Sequence, residues 1–273
     1  MGTKRLLTLS EAKILFPKKN LLKLVATTDG ISDSTYIAHS QHHKYIVKFF
    51  ETSSVKEVRS ERELLKRLYC HGLNVPRWIK SVNGWHLFSY LEGESPQHIT
   101  LWQVGEIARF LGKMHKITKG KSAAVDAYPL EKIEGYIENL QDSNTILARL
   151  FRELLDSVPK SDGIIHGDLF PDNVKFQDHE IGVFDFIGGG NGAFVLDVAV
   201  VVVNWLLFGS VRDKGRIIYF LRCYNQVAPF KISYPQLLPY LRTAILLFAL
   251  LRTSNLGRPY REQLYKLHYV EKL

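Results

Sequence analysis

Residues 164–186 read IIHGDLFPDNVKFQDHEIGVFDF, two apolar runs enclosing a turn that carries Asp168, Pro171, Asp172 and Asn173. This stretch constrains the fold most, because it sets short β-like runs inside a region whose pattern is otherwise helical. "GIIH", "NVKFQ" and "EIGVFDF" read as strands around loops. Asp168 and Asn173 stand five positions apart with Pro171 stiffening the segment between them, and Asp185 follows at the end of the next apolar run. Asp, Asn and Pro also dominate ordinary turns for backbone reasons. What the rest of the chain supplies decides between punctuation and chemistry.

The first third alternates β-prone runs with turns. "LLKLVATTDG", "STYIAHS" and "KYIVKFFE" read as three antiparallel strands, and "RWIKSV", Asn83-Gly84 and "WHLFSYL" as a hairpin. Between them Val58, Leu64, Leu65 and Leu68 recur at helical spacing from Ser54 to Tyr69, until "HGLNVP" stops the helix. After "EGES" the pattern turns helical: Leu101 to His115, Leu130 to Asn139 and Thr145 to Val158. The expectation is an α+β chain of two lobes. Residues 1–90 form a β-rich lobe with one helix, residues 91–273 a mainly helical lobe with a loop-and-hairpin insertion, and the linker falls near Tyr90 to Gly93.

The 273 residues suffice for two lobes sharing a cleft. Lys plus Arg exceed Asp plus Glu by 36 against 27, a formal +9 that favours anions such as nucleotides and phosphates. With no RNP-like aromatic pattern, no Cys/His finger spacing and no compact basic block, a nucleic-acid partner is not expected. Cys70 and Cys223 belong to no paired motif, which points to a reducing cytoplasm. Ala193 to Gly209 approaches membrane-span length, but Asp197 and Asn204 would be costly in lipid. "AILLFALL", Ala244 to Leu251, is too short to span and is bracketed by Arg242 and Arg252. A buried helix and no membrane association are expected.

The residue types of the insertion fit phosphoryl transfer. Asn173 and Asp185 offer hard oxygen ligands for Mg²⁺, and Asp168 a separate carboxylate that can accept a hydroxyl proton. The spacing H-x-D-x-x-x-x-N followed by D-F is that of a kinase catalytic loop and metal-binding loop. Such a site needs a strand lysine for the α- and β-phosphates, which Lys48 in "YIVKFFE" supplies, and a helix glutamate to hold it. Glu61 lies three, four and seven positions before Leu64, Leu65 and Leu68 and therefore faces inward, with Glu57 and Glu63 as alternatives. His166 is expected to anchor the loop. Asp197, inside an apolar helix, must be paired if buried and is expected to brace the loop backbone.

"HGDLFPDN", "GVFDF", "LDVA", "YIVKFFE" and "ERELLKRLYCHGLNVP" together resemble the aminoglycoside phosphotransferase and choline kinase group of protein-kinase-like small-molecule kinases, over nearly the whole chain. Within it, "HGDLFPDNVKF", Asn191, "LDVAVVVVNW" and "LLPYLRTAILLFALLR" look most like bacterial type II homoserine kinases, on Phe170, Asp172 and Asn191 in particular. The resemblance implies a protein-kinase-like two-lobe fold and ATP with Mg²⁺. It implies adenine against the backbone near Ser89 to Leu91, and phosphates cradled by backbone amides of Ser32 to Thr35, with Ser32 and Ser34 in that turn. The acceptor would be the hydroxyl of homoserine or a similar amino alcohol, with Arg242 or Arg252 for a carboxylate and Asp33 or Asp172 for an ammonium. An aminoglycoside or choline-type kinase, or a non-catalytic nucleotide-binding protein, is the alternative. "DFI" stands where protein kinases have DFG, and the phosphate turn "TDGISDST" has a single glycine, Gly30. The chain is also short toward its C-terminus for a homoserine kinase.

Overall fold

A computed structural model describes residues 4–27, 33–141, 145–207, 214–256 and 261–270. The chain divides into two compact units, Met1–Glu94 with Lys175–Ile187 and Ser95–Val174 with Gly188–Leu273. The first break lies at Glu94, close to the expected linker. The segment 175–187, assigned by a simple cut at residue 90 to the second part, belongs to the first unit.

The first unit opens with a short helix that periodicity did not announce, α1 (Leu9–Leu15), closed at its N-terminus by a Thr8/Glu11 capping box. Then follow β1 (Lys23–Ala26), β2 (Ser34–His39), β3 (Lys44–Phe49), α2 (Val55–Cys70), β4 (Trp78–Val82) and β5 (Trp85–Ser89). The strands form one antiparallel sheet in the order β1-β2-β3-β5-β4. Asn83 and Gly84 both sit at positive φ, 51° and 79°, as a two-residue hairpin turn requires. Ala38, Val47 and Leu87 are fully buried on one face of the sheet, and Tyr36, Trp85, Phe16 and Leu21 pack around them.

In the second unit come α3 (Leu101–Thr118), α4 (Leu130–Gln141), α5 (Thr145–Phe151) and α6 (Glu153–Ser157), then the strand β6 (Gly163–Ile165). The single helix expected from Thr145 to Val158 is thus two, interrupted at Arg152. The hairpin β7 (Val174–Gln177) and β8 (Glu180–Val183) follows, and Asn74 ties it to the first unit by accepting from the Val183 amide at 3.1 Å. The chain resumes the second unit with β9 (Gly190–Gly192), paired antiparallel with β6, then α7 (Phe194–Trp205), α8 (Lys214–Asn225) and α9 (Tyr234–Leu256). Two short helices, α10 (Arg261–Tyr265) and α11 (Leu267–Val270), complete the described part.

α7 is buried almost all round, as its apolar run implies, and packs along α9 while α3 packs along α8. α9 corrects the expectation drawn from "AILLFALL". The apolar run is part of a continuous 23-residue helix, long and apolar enough over Tyr234–Ser254 to cross a membrane by length and composition. Leu237, Leu241 and the whole of Ala244 to Leu250 are nevertheless buried inside the unit. Packing against α7 accounts for that apolar character.

Candidate active site

In the first unit the site grows from the middle of β3. Val47 points into the core, so period-two alternation turns Lys48 to the other face, where its side chain is only 13% exposed. A buried ammonium must be paired. Lys48 Nζ meets Asp185 Oδ1 at 2.8 Å and Asp33 Oδ2 at 2.9 Å, with the Phe50 ring 4.7 Å away. Burial opposes the charge on Lys48, but Asp185, Glu61 and Asp33 outweigh it and drive its pKa upward.

Glu61 is buried on the inner face of α2, as its spacing from the leucines required. Glu57 and Glu63 are spent elsewhere: Glu57 closes the α2 capping box with Ser54, and Glu63 pairs with Arg59 at 2.9 Å on the exposed face. Glu61 does not make the direct ion pair with Lys48, which goes to Asp33 and Asp185. Its Oε1 accepts from the Phe186 amide at 3.2 Å instead, fixing the residue after Asp185, while its Oε2 is buried without a hydrogen-bond partner. Burial pushes its pKa up to about 8; Lys48 and the Phe186 amide pull down, Asp185 and Asp33 push up. Asp185 holds φ +63°, a left-handed conformation uncommon outside glycine and costly to maintain.

In the second unit the loop after β6 is fixed peptide by peptide. Asp197, fully buried on α7, accepts from the His166 amide at 2.9 Å, from the Gly167 amide at 3.0 Å and from His115 Nε2 at 3.0 Å. The brace expected of Asp197 is there. Burial raises its pKa, but the bond to His115 and the neighbouring His166 ring and amide bring it below the ordinary value. The Tyr128 hydroxyl donates to the Gly167 carbonyl, and burial together with Asp197 and Asp168 keeps that hydroxyl protonated. Trp205 Nε1 donates to the Leu169 carbonyl at 3.0 Å. His166 anchors the loop as expected, its Nδ1 accepting from the Asp168 amide at 3.2 Å. The Asp168 carbonyl takes the Phe170 amide at 2.9 Å and Asn173 Nδ2 at 2.8 Å. Asn173 therefore shapes the loop with its amide nitrogen.

Gly167 is required where it stands. It sits at φ +78°, and a Cβ there would lie 2.6 Å from the Gly188 carbonyl oxygen. Gly167→Ala is expected to cost about 2 kcal/mol or more, read as a lower melting temperature, together with a fall in any activity that depends on Asp168.

The other expected residues fall as follows. Ser34 is buried in β2, its hydroxyl accepting from the Lys4 and Arg5 amides at 2.9 and 2.7 Å and donating to Glu51 at 2.6 Å. Ser32 lies outside the described residues. Ser89 is tied to Arg77 through both its amide, at 3.0 Å, and its hydroxyl, at 2.8 Å, while Leu91 follows β5 in irregular, half-buried backbone. Asn191 is a joint within the second unit: its side chain bonds Ala123 amide and carbonyl at 2.7 and 3.1 Å and Asp126 at 2.9 Å. Phe170 packs edge-on against Phe248. Arg242 makes two bonds to Glu153, at 3.0 and 3.2 Å, and Asp33 is taken by Lys48. Sequence reasoning missed Asp33 as a partner of Lys48, and missed Tyr128, His115 and Trp205. For Trp205 a signal existed, since a buried indole N–H needs an acceptor.

A buried lysine paired with a strained carboxylate, and a separate loop carrying an acid and an amide, are the parts of a phosphoryl-transfer enzyme. The model of the phosphotransferase enzyme family matches residues 23–231. The chain belongs to that family. It is similar to a homoserine kinase of Methylobacillus glycogenes, 28% identical over 267 residues that cover 88% of this chain and 82% of that one. Among solved structures it is similar to an amicoumacin kinase in complex with AMP-PNP, Ca²⁺ and Ami (TM-score 0.74, 18% identity, 97% and 91% of the two chains). It is also similar to a choline kinase from Streptococcus pneumoniae (TM-score 0.68, 18% identity, 97% of each chain). The kinase-like fold expected from the sequence is therefore the fold, and the protein is a phosphotransferase acting on the hydroxyl of a small molecule.

The residues of this phosphotransferase suit a divalent cation. Asp33, Glu61 and Asp185 surround a single ammonium, and one buried Glu61 oxygen has no partner. The local charge is deficient in cations. Among the described residues no group of three His, Cys, Asp or Glu forms a metal cage. A hard divalent cation, bound through carboxylate oxygen, fits that surplus of negative charge.

Proposed function

We propose that the protein transfers the γ-phosphoryl group of ATP to the hydroxyl of homoserine, with Mg²⁺ as the metal. The Lys48–Asp185 ion pair at 2.8 Å carries this reading, because a buried cation kept charged beside a strained carboxylate is the pairing that phosphate and metal recognition need. Lys48 contacts the α- and β-phosphates, and Asn173 and Asp185 hold the metal. A metal ion held there would neutralise the charge that develops on the transferring phosphoryl group. The adenine is held by backbone near Ser89 to Leu91, where the Ser89 amide itself is already given to Arg77. Asp168 orients the acceptor hydroxyl and takes its proton.

Homoserine as acceptor is supported by the relative of that name, which shares most of its length with this chain. Cys70 and Cys223, both unpaired, support a reducing cytoplasm as the compartment. The test is ADP release with ATP and Mg²⁺ on a panel of homoserine, choline, an aminoglycoside and other small alcohols. Homoserine is expected to give a kcat/KM at least about a hundredfold above the rest, the margin that paired polar groups in a site enforce. Turnover on the aminoglycoside or choline without homoserine would overturn the acceptor. No turnover above Asp168→Asn on any acceptor would overturn the enzyme's proposed chemistry.

A further inference from the structure

The strand-3 lysine has two carboxylates on it, and only Asp185 belongs to the proposed metal chemistry. Asp33 has a different origin. It stands at the start of β2, one strand over, and its side chain is 5% exposed. Its two oxygens are both placed: Oδ2 on Lys48 Nζ at 2.9 Å, Oδ1 on the Glu51 amide at 3.2 Å. A carboxylate held by a backbone amide just beyond β3 is a fixed anion, not a mobile counter-ion. Lys48 has three N–H donors, and two point at carboxylates.

We infer that Asp33 is a positioning residue that spends the charge of Lys48 in advance, so that the protein accepts its nucleotide only as the metal complex. With Asp33 and Asp185 ionised around one ammonium, the pair of anions exceeds the cation by one charge. A bare triphosphate brings about four more negative charges toward that group and is repelled, whereas the metal complex carries about two. Removing the Asp33 charge leaves more of the Lys48 charge uncompensated at the phosphates and lets metal-free nucleotide in. The inference rests on the proposed use of ATP.

The test measures binding, not turnover: AMP-PNP titrated calorimetrically into the full chain, with Mg²⁺ and separately with EDTA. Asp33→Asn keeps the acceptor for the Glu51 amide and removes the charge. It is expected to tighten metal-free AMP-PNP at least about fivefold while changing the Mg²⁺ complex by less than about threefold. A role confined to folding would weaken both forms together. Unchanged or weaker metal-free binding in Asp33→Asn therefore overturns the inference while leaving the kinase reading intact. If that variant does not fold, as judged by thermal melting, Asp33→Ser is measured against the same two expectations. Failure of the unaltered protein to bind AMP-PNP in either condition overturns the ATP reading, and the inference with it.

Discussion

Asp168→Asn is expected to lower kcat about a thousandfold while nucleotide affinity stays within a factor of about three. The physical basis is that the backbone of Asp168 carries hydrogen bonds that hold the loop. The residue is held through its backbone, the amide on His166 Nδ1 and the carbonyl on the Phe170 amide and Asn173 Nδ2. An amide of the same shape keeps these backbone bonds and removes the carboxylate's charge. Steady-state kinetics with a direct nucleotide titration checks this. A loss of affinity matching the loss of kcat would instead mean that the loop had rearranged, and an unchanged kcat would remove Asp168 from the reaction.

Asp197→Asn is expected to have the largest effect on stability. The carboxylate is fully buried and accepts three hydrogen bonds, from two successive loop amides and from His115, whose ring also stacks on Phe194 at 4.1 Å and meets the Tyr224 hydroxyl at 2.8 Å. An asparagine side chain has one acceptor oxygen, so at least one donor loses its partner and the NH₂ group faces donors. Disrupting one partner of such a buried group costs about 3–5 kcal/mol, which for a chain of this size is a fall of about 10 °C in melting temperature. The pH dependence follows from the direction of the shift. The folded pKa of Asp197 lies below its ordinary 3.8, so the unfolded chain takes up the proton first as pH falls. Its contribution is present above about pH 4 and is lost as pH drops through the folded value. Thermal melts of the two proteins from neutral to acid pH should converge at the acid end. Parallel curves would show that Asp197 is not the group that titrates.

Much of the candidate site was legible in the chain because its signals are local. Alternation placed β3 and so turned Lys48 away from the core residue Val47. Helical spacing put Glu61 inward, and the capping preference of Ser54 explains why Glu57 was not available. Asp197 was legible for a different reason: a charge inside an apolar helix has to find partners somewhere. Its partners were not. His115 lies 82 residues away in sequence, Tyr128 bonds a residue 39 positions on, and Lys48 meets Asp185 across 137. No periodicity spans such distances. Phe170 and Asn191 illustrate the same limit, since both looked like markers of an acceptor, yet Asn191 is bound up with Ala123 and Asp126 and Phe170 lies on Phe248.

By itself, then, the sequence determined the strands of the sheet, most of the helices, the residue types of the loop after β6 and the family. These depend on neighbours a few positions apart and on residue types of distinct chemistry. Only the tertiary structure decided which acids hold Lys48, that Glu61 reaches the Phe186 amide in place of the lysine, and that the hairpin bearing Asp185 joins the first unit. Around Lys48 several carboxylates of equal chemistry compete for one buried donor. The winner is set by where packing brings the strands and α2, not by any property of the acid itself.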